Sequence, residues 1–273
     1  MKVWLDDRLV DADAAQVHVS DHGLTVGDGV FETVKTIDGV PFALTRHLDR
    51  LDSSAATLGL QVDRELVARA ARAVLAAHAV GALGRLRITL TGGRGPYGSD
   101  RGDATPTLVV THSALPPWPD TAAVVTVPWV RNERSAVAGA KTTSYAENVV
   151  ALAYAKAHGG GEAIFANTVG ALCEGTGSNV FLALDGRLVT PPLTSGCLAG
   201  VTRALVVEWV GAEEVDVPLA ALAAADEVFL TSTTRDVQPV ATVDGRAVAA
   251  APGPLTAKAM EVFAERSAAD LDP

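Results

Sequence analysis

A carboxylate and an amine in two short polar motifs constrain this chain more than any other feature. Glu174 lies in the segment Ala-Leu-Cys-Glu-Gly-Thr-Gly-Ser-Asn-Val-Phe, residues 171–181, a turn rich in Gly, Ser and Thr between two apolar runs. Lys141 lies 33 residues earlier, in the segment Ala-Lys-Thr-Thr-Ser-Tyr, which has no other charge. A pyridoxal phosphate enzyme needs such a pair, because a lysine forms an imine with the cofactor aldehyde and an acid keeps the pyridine ring protonated.

Four more segments accompany these two in a fixed order. They are Gly-Asp-Gly-Val-Phe-Glu-Thr at 27–33, Arg-His-Leu-Asp-Arg-Leu at 46–51, Gly-Cys-Leu-Ala-Gly-Val-Thr-Arg at 196–203 and Leu-Thr-Ser-Thr-Thr-Arg-Asp at 230–236. With these six motifs the chain resembles the fold type IV pyridoxal phosphate enzymes, the class IV aminotransferases. That group holds branched-chain aminotransferases, D-amino acid aminotransferases, (R)-selective amine transaminases and 4-amino-4-deoxychorismate lyases. The resemblance implies an α+β fold, in which a small N-terminal α/β domain precedes a larger, mixed, barrel-like C-terminal domain.

Composition restricts the fold and the partners. The 273 residues exceed the usual size of one domain, so we expect two. Asp and Glu number 32 against 22 Lys and Arg, and the net charge of −10 argues against nucleic acid or an anionic membrane as a partner. No signal peptide and no apolar run of about 18 residues is recognised, which predicts a cytoplasmic protein. Two cysteines, Cys173 and Cys197, are too few for a disulfide framework, so we expect reduced thiols.

Apolar periodicity and turn residues outline the secondary structure. Hairpins are predicted over residues 3–10 and 29–44, and helices over residues 44–58, 66–80, 145–158 and 201–210. Strands are predicted over residues 85–91, 107–111, 122–127 and 227–230, and near Ala163 and Val180. The loop at 92–102 is too rich in glycine to be packed structure, and Pro-Pro-Trp-Pro at 116–119 is a stiff linker. The linker separates predicted domains at residues 1–115 and 120–273.

The resemblance implies which residues contact the cofactor, from their positions within the motifs. Lys141 forms the imine and afterwards moves the proton between the substrate Cα and the cofactor, while Glu174 faces the pyridine nitrogen. Arg50, in the His-x-x-Arg-Leu pattern, matches the family's phosphate ligand. Arg46 has the same side-chain chemistry and is the alternative ligand, but the position in the motif selects Arg50. The other predicted cofactor contacts are the backbone amides of Val201 and Thr202 at a helix start, the Thr233 hydroxyl, and Tyr145.

Recognition of the substrate involves a second set of residues. A substrate carboxylate needs arginine or a set of backbone amides and hydroxyls. Arg87 aligns with an arginine near the substrate in branched-chain aminotransferases. Arg94 and Arg101 lie in the glycine-rich loop, where D-amino acid enzymes use a basic residue, although the Ser-Pro-Arg-x-His pattern of those enzymes is absent. Phe31 stands where the D-amino acid enzymes have a tyrosine, so the chain lies between subgroups.

Three functions are compatible with these motifs. The favoured one is an aminotransferase that moves an amino group between an amino acid or amine and a 2-oxo acid. The alternatives are a 4-amino-4-deoxychorismate lyase, which forms 4-aminobenzoate and pyruvate, and a non-catalytic protein that binds pyridoxal phosphate. Glu32 and Arg87 favour transfer over elimination. We expect pyridoxal 5′-phosphate as cofactor, no metal ion, and a homodimer in which the loop at 94–101 covers a pocket.

Overall fold

The computed structural model describes residues 1–78 and 81–273, and the chain divides into two compact units. The first unit comprises Met1–Pro116, Ala140–Tyr145 and Leu271–Pro273, and the second comprises Pro117–Gly139 and Ala146–Asp270. The predicted domain limits stay a prediction. They differ from these units because two segments that follow the linker join the first unit through backbone hydrogen bonds. Phe31 N–H donates to Lys141 O at 3.0 Å, and Ala43 N–H donates to Leu271 O at 2.6 Å.

The first unit is built on an antiparallel sheet of six strands. Its strands are β1 Lys2–Leu5, β2 Arg8–Asp11, β3 Gly29–Ile37, β4 Val40–Pro41, β5 Leu83–Thr91 and β6 Thr107–Ala114, and its helices are α1 His22–Thr25, α2 Leu44–Thr57 and α3 Arg64–Ala76. In space the strands follow the order β2-β1-β6-β5-β3-β4. Helices α2 and α3 bury their apolar faces in a core that includes Leu51, Val67, Val34 and Ile88. Both predicted hairpins and both predicted helices are therefore present.

Turn and capping residues account for the limits of the helices. The Asp63 side chain accepts the N–H of Leu66 at 2.9 Å, so α3 begins two residues earlier than predicted. Helix α2 ends before Gly59, which has φ +68 and so adopts a conformation that favours glycine. The predicted end of the second helix, at residues 79 and 80, lies outside the described residues.

The glycine-rich loop between β5 and β6 is packed only at its ends: Gly92 and Gly93 are buried and Arg101 is half-buried, whereas residues 96–100 are exposed, so the prediction of an unpacked loop is wrong only for the ends. The Arg101 guanidinium donates from Nε to the Asp28 carboxylate at 2.6 Å, and its Nη2 donates to the other oxygen. Gly93 has φ +78, and a Cβ there would lie 1.8 Å from the carbonyl oxygen of Thr105. Glycine therefore serves close approach of the backbone here, rather than freedom of movement.

The second unit is built on a mixed sheet of nine strands. Its strands are β7 Ala122–Arg131, β8 Glu162–Asn167, β9 Leu172–Gly175, β10 Asn179–Leu184, β11 Arg187–Thr190, β12 Glu213–Glu214, β13 Glu227–Ser232, β14 Asp236–Val243 and β15 Arg246–Ala247, and its helices are α4 Ala146–Ala157, α5 Val201–Val210, α6 Ala221–Ala224 and α7 Pro254–Ala269. The sheet order is β12-β11-β10-β13-β14-β7-β8-β9, and β15 pairs with β14. Strands β8, β10 and β13 are buried on both faces. The predicted α+β class is confirmed.

Several details of the second unit differ from or extend the sequence prediction. Strand β7 continues past residue 127 to Arg131. Helix α7 was not predicted.

Cys173 and Cys197 are free, as expected, and both are buried, and burial raises the pKa of Cys197 to about 11. Among the described residues, no helix is long and apolar enough to cross a membrane.

Candidate active site

In the first unit, the backbone on both sides of Lys141 is held by hydrogen bonds. Its N–H donates to the Ser54 hydroxyl of α2 at 3.0 Å, and its carbonyl accepts from Phe31 of β3. The Thr143 N–H then donates to Gly29 O at 2.8 Å, so residues 141–143 pair with the start of β3. The position of the lysine therefore depends on the sheet and on α2.

This pairing explains the two glycines of the Gly-Asp-Gly motif. The Thr143 and Ser144 hydroxyls both donate to the carbonyl of Gly27, at 2.8 and 2.9 Å. Gly27 has φ +68, and a Cβ on it would lie 2.7 Å from the Ser144 hydroxyl. A Cβ on Gly29 would lie 2.9 Å from the carbonyl oxygen of Leu90. Larger residues would push the lysine segment away from β3.

Four of the predicted site residues meet around one aromatic ring in the first unit. The Lys141 amine lies 4.3 Å from the centroid of the buried Phe31 ring, and the Arg87 guanidinium carbon lies 3.4 Å from it. The Tyr145 ring packs edge-on against Phe31, with 5.3 Å between centroids. Burial lowers the pKa of Arg87, which lies on β5 directly beside β3. An amine and a guanidinium thus share one small apolar surface.

A buried carboxylate organises the predicted phosphate ligand. Glu32 is fully buried and accepts 2.7 Å hydrogen bonds from Arg50 Nε, Arg50 Nη2 and His47 Nδ1. Since a carboxylate can only accept, His47 carries its proton on Nδ1. Burial lowers the pKa of His47, and the charges of Arg50 and Lys141 lower it further while Glu32 opposes them. His47 is therefore a neutral hydrogen-bonding group, and Glu32 keeps the Arg50 guanidinium in one orientation.

The two loop arginines have different surroundings. Arg101 is paired with Asp28, and its hydrogen bonds lower the pKa of that carboxyl despite partial burial. Arg94 is exposed and forms an isolated backbone bridge with Asp21. Arg46, the alternative to Arg50 as phosphate ligand, donates from Nε to the Pro273 carbonyl at 2.8 Å.

In the second unit, Glu174 is held at both carboxylate oxygens. The Leu198 N–H donates to Oε2 at 2.9 Å, and Arg131 Nε lies 3.2 Å from Oε1, within ion-pair distance although the angle is not that of a hydrogen bond. The Arg131 guanidinium also packs 4.1 Å above the ring of Phe165, which lies directly opposite Glu174 in the sheet. Sequence reasoning missed Arg131, because nothing in its local motif indicates which carboxylate it contacts.

The start of α5 lies beside Glu174 through one short loop. The Leu198 carbonyl accepts from the Asn179 side chain at 2.9 Å, while the Leu198 N–H binds Glu174. Gly200 is the residue before the helix, no side chain caps it, and a Cβ there would lie 2.0 Å from Asn179 Oδ1. Val201 and Thr202 open the helix, so their N–H groups point out of its positive end.

Thr233 lies in the turn between β13 and β14. Thr231, two residues earlier, pairs with Asn179 in the sheet, and its buried hydroxyl has no hydrogen-bond partner among the described residues. The Ser178 hydroxyl is buried and unpartnered in the same way. This end of the second unit therefore presents buried hydroxyls and an uncapped helix start, the donors that an anion needs.

Comparison with known proteins gives the family. The sequence model for amino-transferase class IV matches residues 29–243, well over half of the chain. The chain belongs to the class IV aminotransferases. A putative branched-chain-amino-acid aminotransferase from Methanocaldococcus jannaschii is 36% identical over 91% of this chain and 90% of its own length. A D-alanine aminotransferase from Bacillus licheniformis is 32% identical over 94% of this chain and 93% of its own length.

The solved structures agree with the sequence comparison. The branched-chain aminotransferase from Thermoproteus uzoniensis, crystallised with norvaline, has a TM-score of 0.90 at 31% identity and covers 97% of this chain and 94% of its own. The predicted fold type IV architecture is thus confirmed, and this class IV chain is an aminotransferase. Enzymes of the family depend on pyridoxal phosphate.

The buried Glu32 predicts a specific pH dependence of stability. Burial would raise its pKa, but the charge and hydrogen bonds of Arg50 and the bond of His47 lower it from 4.5 to about 2. Because the folded pKa lies below the unfolded one, the contribution is present above about pH 5 and lost towards pH 2, about 3 kcal/mol in all. We predict that Glu32→Gln removes this part of the pH dependence of the unfolding free energy, measured with urea.

The matched control is Asp7→Asn, which removes an exposed carboxylate in the turn between β1 and β2. It should leave the acid dependence of the unfolding free energy as in the wild type. An unchanged acid dependence in Glu32→Gln would contradict the role of the Glu32 carboxylate in stability.

Proposed function

We propose that this class IV enzyme transfers the amino group of a 2-amino acid to a 2-oxo acid, with pyridoxal 5′-phosphate as its cofactor. The arrangement around Phe31 is the observation that carries the proposal. The Lys141 amine and the Arg87 guanidinium lie 4.3 and 3.4 Å from the same ring centroid. A 2-amino acid carries its amine and its carboxylate on the same carbon, so a lysine that holds the cofactor and a guanidinium beside it suit the amine and the carboxylate respectively.

The residues of each unit fit the cofactor by their chemistry. The first unit offers Lys141 for the aldehyde, Tyr145 as a ring contact, and Arg50 as a phosphate ligand oriented by Glu32. The second unit offers a carboxylate for the pyridine nitrogen and, for the phosphate, the N–H groups of Val201 and Thr202 with the Thr233 hydroxyl. The uncapped helix start and the unpartnered hydroxyls beside it support an anion at this end.

The proposed mechanism assigns one task to each side chain. Bound pyridoxal phosphate supplies an electron sink that stabilises negative charge at the substrate Cα. Lys141 would hold the cofactor through its amine, and the same amine would carry the proton to and from the substrate Cα. Glu174, held by the Leu198 N–H, keeps a proton on the pyridine nitrogen. Arg87 binds the substrate carboxylate and orients Cα towards Lys141.

We further propose Arg87, rather than Arg101 or Arg94, as the main carboxylate ligand. Arg101 already binds a carboxylate, that of Asp28, and Arg94 is exposed. Arg87 stacks on Phe31, and its Nε donates a long hydrogen bond of 3.3 Å to the Thr89 hydroxyl. The Thermoproteus uzoniensis relative, crystallised with norvaline, supports an amino acid as the substrate class. The cytoplasmic location stays a prediction.

A second copy of this chain is the proposed partner. In the second unit, β7 and α4 pack together, and both expose large apolar side chains: Trp129 (41%), Val130 (43%), Val149 (66%) and Val150 (53%). Exposed apolar groups concentrated on two packed elements are typical of protein interfaces. We predict a homodimer by sedimentation at micromolar concentration, with Val149→Asp shifting it towards the monomer. An active wild-type monomer at all concentrations would exclude this partner.

Lys141→Ala should abolish turnover and the visible absorption of the bound cofactor, because the amine that holds the cofactor is removed. The assay measures the absorbance spectrum and the rate with an amino acid donor. Lys156→Ala, at an exposed position on α4, is the control and should behave as the wild type. A Lys141→Ala protein that keeps both its activity and a borohydride-reducible imine would show that another lysine holds the cofactor.

Arg87→Ala should raise the KM for an amino acid donor about ten- to a hundredfold, because a charge-assisted hydrogen bond contributes about 1.5–3 kcal/mol. The KM for 1-phenylethylamine, a donor without a carboxylate, should change little. Arg85→Ala, an exposed arginine on the same strand, is the control. Equal losses with both donors would make Arg87 structural.

The same experiment on the wild type distinguishes transfer from elimination. An amino donor should convert the bound cofactor stoichiometrically to its pyridoxamine form. Release of 4-aminobenzoate from aminodeoxychorismate, without transfer from either donor, would replace the proposal by the lyase alternative.

A further inference from the structure

Glu162 and Arg235 form a buried ion pair in the second unit that the proposed mechanism does not use. Glu162, the first residue of β8, is 1% exposed at its side chain, and Arg235 is 8% exposed. Nη2 of Arg235 donates to Oε2 of Glu162. Burying two charges costs desolvation that their attraction repays only with good geometry and further hydrogen bonds, so such a pair contributes little net stability. Its other contacts indicate what it does.

The Glu162 carboxylate holds the turn that follows Glu174. Its Oε1 accepts the N–H of Thr176 at 2.8 Å, the hydroxyl of Thr176, and the N–H of Gly177 at 3.3 Å. A Cβ on Gly175 would lie 3.3 Å from the same carboxyl group. The three residues directly after Glu174 are therefore packed against one carboxylate. This contact fixes the direction in which the chain leaves β9 just after Glu174.

The Arg235 guanidinium holds the other turn. Arg235 lies between β13 and β14, two residues after Thr233, and its Nη1 donates to Gln238 Oε1 at 3.3 Å. Its guanidinium carbon lies 4.1 Å from the Trp118 ring centroid, and the Gln238 amide donates to the Pro119 carbonyl at 2.7 Å. The turn that carries Thr233 is thus tied to β14 and to the stiff linker segment.

We propose that Glu162 and Arg235 are positioning residues that hold the Glu174 turn and the Thr233 turn in register for the cofactor. One ion pair links both turns, so replacing either partner removes that link and leaves them joined by the pairing of β10 with β13. The inference rests on the proposed function, because it takes Glu174 and Thr233 as contacts of the pyridine nitrogen and of the phosphate.

The test measures the affinity of the cofactor-free protein for pyridoxal 5′-phosphate, by absorbance titration at a temperature where every variant is folded. Glu162→Gln and Arg235→Met should each weaken binding about tenfold or more, the usual cost of removing a partner that orients a ligand group. Arg235→Lys keeps the positive charge beside Glu162 but loses the stacking on Trp118 and the forked geometry of the guanidinium, so it should bind the cofactor more tightly than Arg235→Met and less tightly than the wild type. The double variant Glu162→Gln/Arg235→Met should lose less than the product of the single losses, because both act through one pair.

Glu227→Gln is the matched control for a merely structural effect. Glu227 is another buried carboxylate of the second unit, at the start of β13, and it accepts the N–H groups of Leu255 and Thr256 at 3.0 and 2.7 Å. It touches neither turn. The control should lower the melting temperature by roughly 5 °C but leave cofactor affinity unchanged.

The outcomes separate the inference from the function on which it rests. If the wild type binds pyridoxal phosphate and Glu162→Gln and Arg235→Met bind it equally well, the positioning role is wrong and the proposed function stands. Equal losses of affinity in Glu227→Gln would also overturn it, since a general loss of stability would then account for the effect. A wild type that does not bind the cofactor would instead overturn the proposed function.

Discussion

The pairing of residues 141–143 with the start of β3 is the constraint on which the position of the Lys141 amine depends. Hydrogen bonds from Phe31 N–H to Lys141 O and from Thr143 N–H to Gly29 O add this segment to the first unit, although it follows the linker in sequence. The same pairing brings the lysine amine to the Phe31 ring, where Arg87 already lies. Gly27 and Gly29 are needed because a side chain at either position would collide with neighbouring atoms.

Buried carboxylates with several donors organise both units. Glu32 binds Arg50 and His47 in the first unit, and Glu162 binds Arg235 and two backbone N–H groups in the second. A buried charge is tolerated only when it is paired and hydrogen-bonded, so each such residue fixes its partners as strictly as they fix it. Residues proposed to contact the cofactor therefore depend on carboxylates that do not contact it themselves.

Two arginines with the same predicted role, Arg101 and Arg87, have different surroundings in the structure. Arg101 is neutralised by Asp28 and anchors the glycine-rich loop, whereas Arg87 stacks on an aromatic ring beside an amine. The resemblance to the family implied both as substrate ligands. Only the partners that the fold supplies separate an arginine that supports structure from one that is proposed to bind a substrate, since both have the same intrinsic chemistry.

The sequence by itself determined the family, the α+β class and most elements, because motif order, turn residues and apolar periodicity are local properties of the chain. Lys141, Glu174, Arg50 and the start of α5 were identified as candidates in the same way. Tertiary structure alone decided that residues 140–145 join the first unit, that Arg101 ties the end of the loop at 92–102 to Asp28, and that Glu32 is bound by Arg50 and His47. It also decided the partners of Arg131, Glu162 and Arg235. These features depend on contacts between residues far apart in the chain, and charge pairing or close backbone approach at such distances leaves no periodic trace in a single sequence.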